Sequence, residues 1–245
     1  MMYEYYIISL ACILVCAAVG GWANARVKSA YRAFGTMPTA SHTTGYDTAQ
    51  RLLRNNGVQG IEIGKVQGEL TDHYHPKKGL VNLSEGVYGS DSIAACAVAA
   101  HEIGHVLQKK QGYLPYKLRG ALVTVTNIGS RLAVPLVLVG LLLDLFIKAT
   151  ADLDIGYWFA LAGVALYGLS TVFALATLPV ELNASKRART MLAEERILTD
   201  EEMPFARRML NAAALTYVAS ILTSLLFFLR FLLWVLTLFG RRRRN

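Results

Sequence analysis

Five histidines occur in this chain of 245 residues, and two of them, His101 and His105, bracket Glu102 in the pattern H-E-x-x-H. Side chains four positions apart share a face of a helix, so both imidazoles can point at one ion. Glu102 follows the first histidine but is rotated off its direction. From there it can hold and deprotonate a water instead of ligating the ion. This is the chemistry of hydrolysis by a metal-activated water with a carboxylate general base. The alternative is an amphipathic helix with two surface histidines beside a glutamate. Against it stand residues 93–100, which are small and apolar as in a buried helix, with little packing use for three polar neighbours.

The motif must be held by the stretch SDSIAACAVAAHEIGHVLQKKQG, residues 90–112, which reads as one helix. Ser90 or Asp91 can cap its start, and Gly112 can end it. Upstream, Thr43 or Thr44 can cap a helix through Ala49, Leu52 and Leu53 that stops at Asn55-Asn56-Gly57. Ile61 and Ile63 alternate with polar residues, as in a strand. Residues 70–74 and 80–83 can pair as a hairpin across Pro76-Lys77-Lys78-Gly79. A free strand edge in residues 70–83 beside the motif helix would let an extended peptide add by main-chain hydrogen bonds.

Composition places this small domain in a membrane protein. Apolar residues make up 54% of the chain and charged residues 17%, with the apolar excess in long runs. Residues 5–23 form a first span, and the basic flank Arg26, Lys28 and Arg32 follows it, the reverse of a cleaved signal peptide. Residues 122–147 and 155–178 form two more spans, joined by a loop with Lys148, Asp152 and Asp154. Arg131 and Pro135 suggest that the apolar core of the first of these begins only near Leu132. Residues 212–239 form the last apolar stretch, interrupted by Arg230. The expected divisions are thus 1–23, 24–120, 121–178, 179–211 and 212–245.

A two-span hairpin returns the chain to the side it left, so residues 24–120 and 179–211 face one compartment. Both are rich in Lys and Arg, which points to the cytoplasm. Residues 241–244, four arginines, fit that orientation only if the last stretch turns back near Arg230. The net charge of +8 sits beside apolar runs without aromatic interleaving, which suits lipid head groups and argues against nucleic acid. Cys12, Cys16 and Cys96 lie among apolar residues and read as buried thiols, not a disulfide framework.

A catalytic zinc takes three protein ligands and leaves a fourth position for water. Glu181 is a candidate for the third, with Pro179 suggesting the first turn of a helix and Ser185 following on the same face. Spacing alone also allows Glu181 to serve only the helix dipole, and leaves Glu85, Glu194 and Glu195 as other acids on that side. His73 and His75 share a strand face, and one of them can donate to a tetrahedral intermediate, the alternative being a solvated or capped pair beside a turn. Thr199 and Glu202 form a capping-box pattern.

Several segments together resemble one family. They are Thr71-Asp72-His73-Tyr74, Leu83-Ser84-Glu85, Val98 to His105, Leu178-Pro179-Val180-Glu181 with Asn183-Ala184-Ser185, and Ala213 to Val218. In order, over most of residues 44–230, they resemble the bacterial integral-membrane neutral zinc metallopeptidases (the YugP-like group). More distantly, the E-x-x-A pattern at Glu181 is similar to that of HtpX-like and CAAX prenyl endopeptidases. The resemblance implies Glu181 as third zinc ligand, in the manner of a gluzincin. Two positions depart from the pattern: Ser185 stands where the distant relatives have Asp, and His75 where the closer family usually has Asp.

The expected fold is a mainly α membrane protein with three to four transmembrane helices and a small α+β zincin-like domain, a short hairpin plus the H-E-x-x-H helix. The expected function is a membrane-embedded zinc metalloprotease, multi-pass in a bacterial plasma membrane with its catalytic domain in the cytoplasm. One Zn2+ per chain would be held by His101, His105 and Glu181, with Glu102 as general base and His73 as a further catalytic residue. The substrate would be a peptide or a membrane protein. A zinc-binding membrane scaffold or regulatory subunit without turnover, or a zinc hydrolase of a non-peptide bond, are the alternatives.

Overall fold

The computed structural model describes residues 2–146 and 155–242. The loop with Lys148, Asp152 and Asp154 lies outside these residues, as do Arg243 and Arg244. In chain order the elements are α1 (Met2–Gly35), α2 (Gly45–Asn55), β1 (Glu62–Val66), β2 (His73–His75), β3 (Leu80–Ser84), α3 (Glu85–Tyr88), α4 (Ile93–Lys110), α5 (Leu114–Phe146), α6 (Ile155–Glu194) and α7 (Met203–Arg242). Two compact units result. The first comprises Met1–Gly21, Leu118–Thr177 and Val218–Asn245, and the second Trp22–Lys117 and Leu178–Tyr217.

The first unit is built from α1, α5, α6 and α7, four helices long and apolar enough to cross a membrane. Ile8, Leu14, Leu138, Leu142, Trp158 and Leu233 are exposed on it, the surface expected of helices that face lipid. Small residues let the helices meet. A Cβ on Gly140 would fall 2.5 Å from the Gly156 carbonyl, so α5 and α6 touch backbone to backbone there. Thr171 and Ser224 hydroxyls, 3.0 Å apart, tie α6 to α7.

α5 starts at Leu114 and runs unbroken through Arg131 and Pro135. α7 runs unbroken through Arg230 to Arg242, so no turn near Arg230 brings the tail back. α6 continues through Pro179, so Glu181 sits within a 40-residue helix and not in a first turn, and the helix-dipole reading of Glu181 falls away. An interior proline has no N–H to reach the Leu175 carbonyl and its ring crowds that carbonyl, a defect that long membrane helices tolerate.

The second unit has a core of Leu52, Val81, Leu83, Val87, Ile93, Ile103, Leu192 and Ile197, all nearly inaccessible to solvent. Thr44 caps α2, its hydroxyl accepting from the Asp47 amide while the Asp47 carboxylate accepts from the Thr44 amide. Gly57, at φ +59°, follows the end of α2. β2 and β3 pair antiparallel, with His73 opposite Asn82 and His75 opposite Leu80. β1 pairs parallel with β3, giving the order β1-β3-β2. β3 is therefore the central strand, and the free edge of the hairpin belongs to β2 alone. That edge begins at His73, because Leu70 turns into the left-handed region at φ +56°.

Thr199 and Glu202 form the expected box ahead of α7: the Thr199 amide donates to Glu202, whose own amide donates back to the Thr199 hydroxyl at 3.3 Å. The second Glu202 oxygen accepts from the Ala40 amide at 2.6 Å, which ties the start of α7 to the loop before α2.

Candidate metal centre

α4 carries the H-E-x-x-H residues, and its buried start explains its position. Ser92, not Ser90 or Asp91, is the N-cap, its hydroxyl accepting from the Ala95 amide at 3.2 Å. Ser90 supports it, donating to the Ser92 hydroxyl at 2.9 Å. The alanines from Ala94 to Ala100 are fully buried, so neighbouring elements approach the helix closely. Past the end of α4, Gly112 takes a left-handed φ of +66°.

One face of α4 presents His101, Gly104, His105 and Gln108, spaced i, i+3, i+4 and i+7. It meets the face of α6 that presents Glu181, Ala184 and Ser185. A Cβ on Gly104 would fall 2.7 Å from the Ala184 carbonyl oxygen and 3.1 Å from its Cα. Glycine at 104 therefore sets the closeness of the two helices. His101 meets Ser185, and Gln108 reaches Val180, so the helices run antiparallel at this contact.

At the contact, Glu181 Oε2 lies 3.2 Å from His101 Nε2 and 3.4 Å from His105 Nε2. Possible ligand atoms of the three residues all fall within 4.8 Å of one another, the one such group among the described residues. Glu85 is instead exposed and lies 4.0 Å from Lys65, while Glu195 engages Arg51 and Asn55.

The outer nitrogens of both imidazoles have partners. His101 Nδ1 lies 3.1 Å from Ser185 Oγ, and His105 Nδ1 lies 3.0 Å from Gln108 Oε1. Gln108 is fully buried and fixed in turn, donating to the Val180 carbonyl at 2.7 Å and to Asn183 Oδ1 at 3.0 Å. With each Nδ1 so engaged, each Nε2 faces Glu181. Two imidazole nitrogens and a carboxylate oxygen, buried and oriented from behind, are a donor set that fits zinc. The electrostatics agree. Burial disfavours a charged His105, yet Glu181, Glu102 and Gln108 outweigh it and hold its pKa above the usual histidine value. A field that favours a proton there also favours a metal cation.

Glu102 is 7% exposed and lines a cavity of about 280 Å³ together with His101, Glu181 and Ser185. It stands outside the three-residue cluster, and no hydrogen bond engages its carboxylate among the described residues. The remaining walls are mostly apolar, from Val27, Leu70, Val98, Met209, Leu210 and Ala213. Asp72 also faces this cavity; its two oxygens accept from the Ser84 amide at 2.6 Å and hydroxyl at 3.0 Å. Burial outweighs these two bonds and raises the Asp72 pKa above the usual carboxylate value.

His73 is not brought to the cavity wall. It is exposed, with Nδ1 2.8 Å from the Thr71 carbonyl and Nε2 3.1 Å from Asn82 Nδ2. Side chains alternate along an extended segment, and it is the preceding Asp72 that faces inward. His75 accepts from the Lys78 amide at 3.3 Å, the capped turn-side arrangement. Sequence reasoning missed Gln108, although its place one turn beyond His105 on the ligand face was a readable signal.

The fold and the site thus define a multi-pass membrane protein with a His-His-Glu cluster shared between an H-E-x-x-H helix and α6. Residues 7–236 match the family described as "Putative neutral zinc metallopeptidase", and the chain belongs to that family. It is 40% identical over 222 residues to the "Putative membrane protease YugP" of Bacillus subtilis (strain 168), covering 90% of this chain and 94% of that protein. No solved structure matches the chain.

Proposed function

We propose that the protein is a zinc metalloprotease that hydrolyses peptide bonds of membrane or membrane-proximal proteins from the cytoplasmic side of a bacterial plasma membrane. His101 Nε2, His105 Nε2 and Glu181 Oε2 would hold one zinc ion per chain. When bound, the ion would supply a Lewis acid that polarises the scissile carbonyl and makes water acidic near neutral pH. Glu102 takes the proton from the attacking water and later passes it to the leaving amine. Its buried position on the wall beside the ligand cluster, with no competing hydrogen bond among the described residues, leaves it available for both transfers.

Ser185 and Gln108 hold the imidazole rings with Nε2 inward. The apolar walls exclude water from around the bond being cleaved and suit an apolar substrate side chain. Leu70 and Asp72 place the chain just before the β2 edge at the cavity, so an extended peptide can pair with that edge while its scissile bond lies over Glu102. β3, already paired on both sides, is closed to such addition. His73 stands at the rim, where it would act only as a donor to a bound peptide.

The observation that carries this reading is the convergence of the three donor atoms beside a carboxylate that is not one of them. The test is cleavage of a casein-type substrate by detergent-purified protein, wild type against Glu102→Gln, with zinc measured in both. Zinc retained and cleavage lost in the variant is expected; cleavage at the wild-type rate would refute the role of Glu102. His73→Gln is expected to change KM more than kcat.

A further inference from the structure

The first unit contains a second cavity, separate from the zinc-binding residues and unused by the proposed chemistry. It has a volume of about 470 Å³ and takes lining residues from α1, α5, α6 and α7. Its polar lining is Ser9, Tyr167 and Arg230, and its apolar lining includes Phe227, Phe231 and Trp234. Phe231 stacks on Trp234 with centroids 6.0 Å apart, and Tyr167 meets Phe231 edge-on at 5.7 Å.

Two groups in this cavity are unsatisfied. Ser9 is 5% exposed, and its hydroxyl is buried without a hydrogen-bond partner among the described residues. The Nε of Arg230 is likewise enclosed without one, and no carboxylate pairs with its guanidinium among the described residues. Both lie within apolar helices long enough to cross a membrane. Ser9 is about 10 Å along α1 from Met2, and Arg230 about 18 Å along α7 from Arg242. A hydrocarbon core is ~30 Å thick, so Arg230 sits near mid-depth. An unpaired cation there is costly, and such residues inside a membrane mark binding or transport functions.

We propose that this cavity binds the anionic head of a membrane amphiphile, a lipid phosphate or a fatty-acid carboxylate, with Arg230 as its counter-ion. A guanidinium presents a planar fork that matches either anion with two parallel hydrogen bonds. Ser9 and Tyr167 add hydroxyl donors to the same anion. The aromatic wall of Phe227, Phe231 and Trp234 takes the start of the acyl chain. Binding removes both defects at once: the lone cation gains a charge partner, and the buried hydroxyl gains an acceptor. A water-soluble anion would satisfy Arg230 but would leave the aromatic wall unfilled.

The test is native mass spectrometry of the full chain in a non-ionic detergent, with equimolar phosphatidylglycerol and phosphatidylcholine of the same acyl chains. One charge-assisted pair predicts retention of phosphatidylglycerol by wild type about tenfold above phosphatidylcholine. Arg230→Gln should abolish that preference, whereas a double change of Arg241→Gln and Arg242→Gln should keep it. Because Arg230→Gln removes a half-buried cation with no carboxylate partner among the described residues, its thermal midpoint without lipid should equal or exceed that of wild type. Oleate and inorganic phosphate added separately distinguish the sources. A thermal shift with phosphatidylglycerol in wild type but not in Arg230→Gln assigns a lipid phosphate, and one with oleate alone assigns a carboxylate. Equal retention of both lipids by wild type with no shift from oleate, preference surviving in Arg230→Gln, or a shift with inorganic phosphate alone would overturn the proposal.

Discussion

Replacing Gln108 with Leu tests whether the face behind the imidazoles matters as much as the ligands. Gln108 makes three hydrogen bonds with no exposure to water: its Oε1 lies 3.0 Å from His105 Nδ1, and its Nε2 donates to the Val180 carbonyl and Asn183 Oδ1. Leucine fills a similar volume and forms none of them. His105 Nδ1 then loses the partner that fixes its tautomer and ring angle, and loss of such a partner typically costs ~10–100-fold in metal affinity. That range corresponds to about 1.4–2.8 kcal/mol. The Asn183 oxygen still accepts from Arg187 at 2.7 Å, so the uncompensated groups are the His105 N–H and the Val180 carbonyl lone pair. Gln108→Glu separates orientation from packing, since it keeps an acceptor for His105 and loses both donations to α6. The assay is zinc competition against a chromophoric chelator in detergent, with thermal unfolding of the metal-free protein alongside. Gln108→Leu should bind zinc ~10-fold or more weakly. Gln108→Glu should stay near wild type in affinity while losing thermal stability. Zinc affinity within twofold of wild type for Gln108→Leu would refute the argument that Gln108 orients His105.

Other expectations concern the same unit. Gly104→Ala places a Cβ 2.7 Å from a backbone oxygen that cannot move alone, so α4 and α6 must separate. An overpacking cost of about 1–3 kcal/mol in thermal unfolding should be accompanied by weaker zinc binding, whereas an unchanged midpoint would show that the helices are not held at this contact. Because burial raises the Asp72 pKa, the folded state holds this proton to higher pH than the unfolded chain. Its stabilising share is thus complete at acid pH and is lost as pH rises from the usual carboxylate value through the raised one. The unfolding midpoint of wild type relative to Asp72→Asn should fall across that window and level off above it; a parallel pair of curves would contradict the assignment. The Cys96 thiol is fully buried and pushed up to about 11, chiefly by burial. In a Cys12→Ser/Cys16→Ser background it should resist maleimide labelling at neutral pH until the protein unfolds.

Much of the site could be read from the sequence because its parts are local and rare. The i, i+4 spacing of His101 and His105 sets their common direction on any helix. The resemblance carried Glu181, which spacing alone left among several acids. What escaped the sequence depends on long-range packing. Pro179 reads as a helix start because proline favours the first turn, yet the apolar run before it and the buried face after it sustain one continuous helix. β1 and β3 pair in parallel although β2 lies between them in the chain, a register that no local pattern encodes. Ser92 is as good a cap as Ser90 by residue type, and only the buried alanines that follow decide between them. His73 reads as a candidate donor because it shares a strand face with His75, whereas the fold leaves its side chain exposed and turns the neighbouring Asp72 to the cavity.

The proposed orientation of the membrane spans rests on the basic residues of the second unit, and the basic end of the sequence, residues 241–244, weighs against it. Cysteine accessibility at an engineered tail position would decide which cluster governs insertion.

The central claim is that two histidines of α4 and a glutamate of α6 hold one zinc ion with a position left open. X-ray absorption at the zinc edge of the purified protein tests it most directly. The account predicts two imidazole nitrogens and oxygen ligands at about 2.0–2.2 Å, with no sulfur shell, and loss of one oxygen ligand or of the metal in Glu181→Ala. A sulfur shell near ~2.3 Å, or a Glu181→Ala spectrum identical to that of wild type, would contradict it.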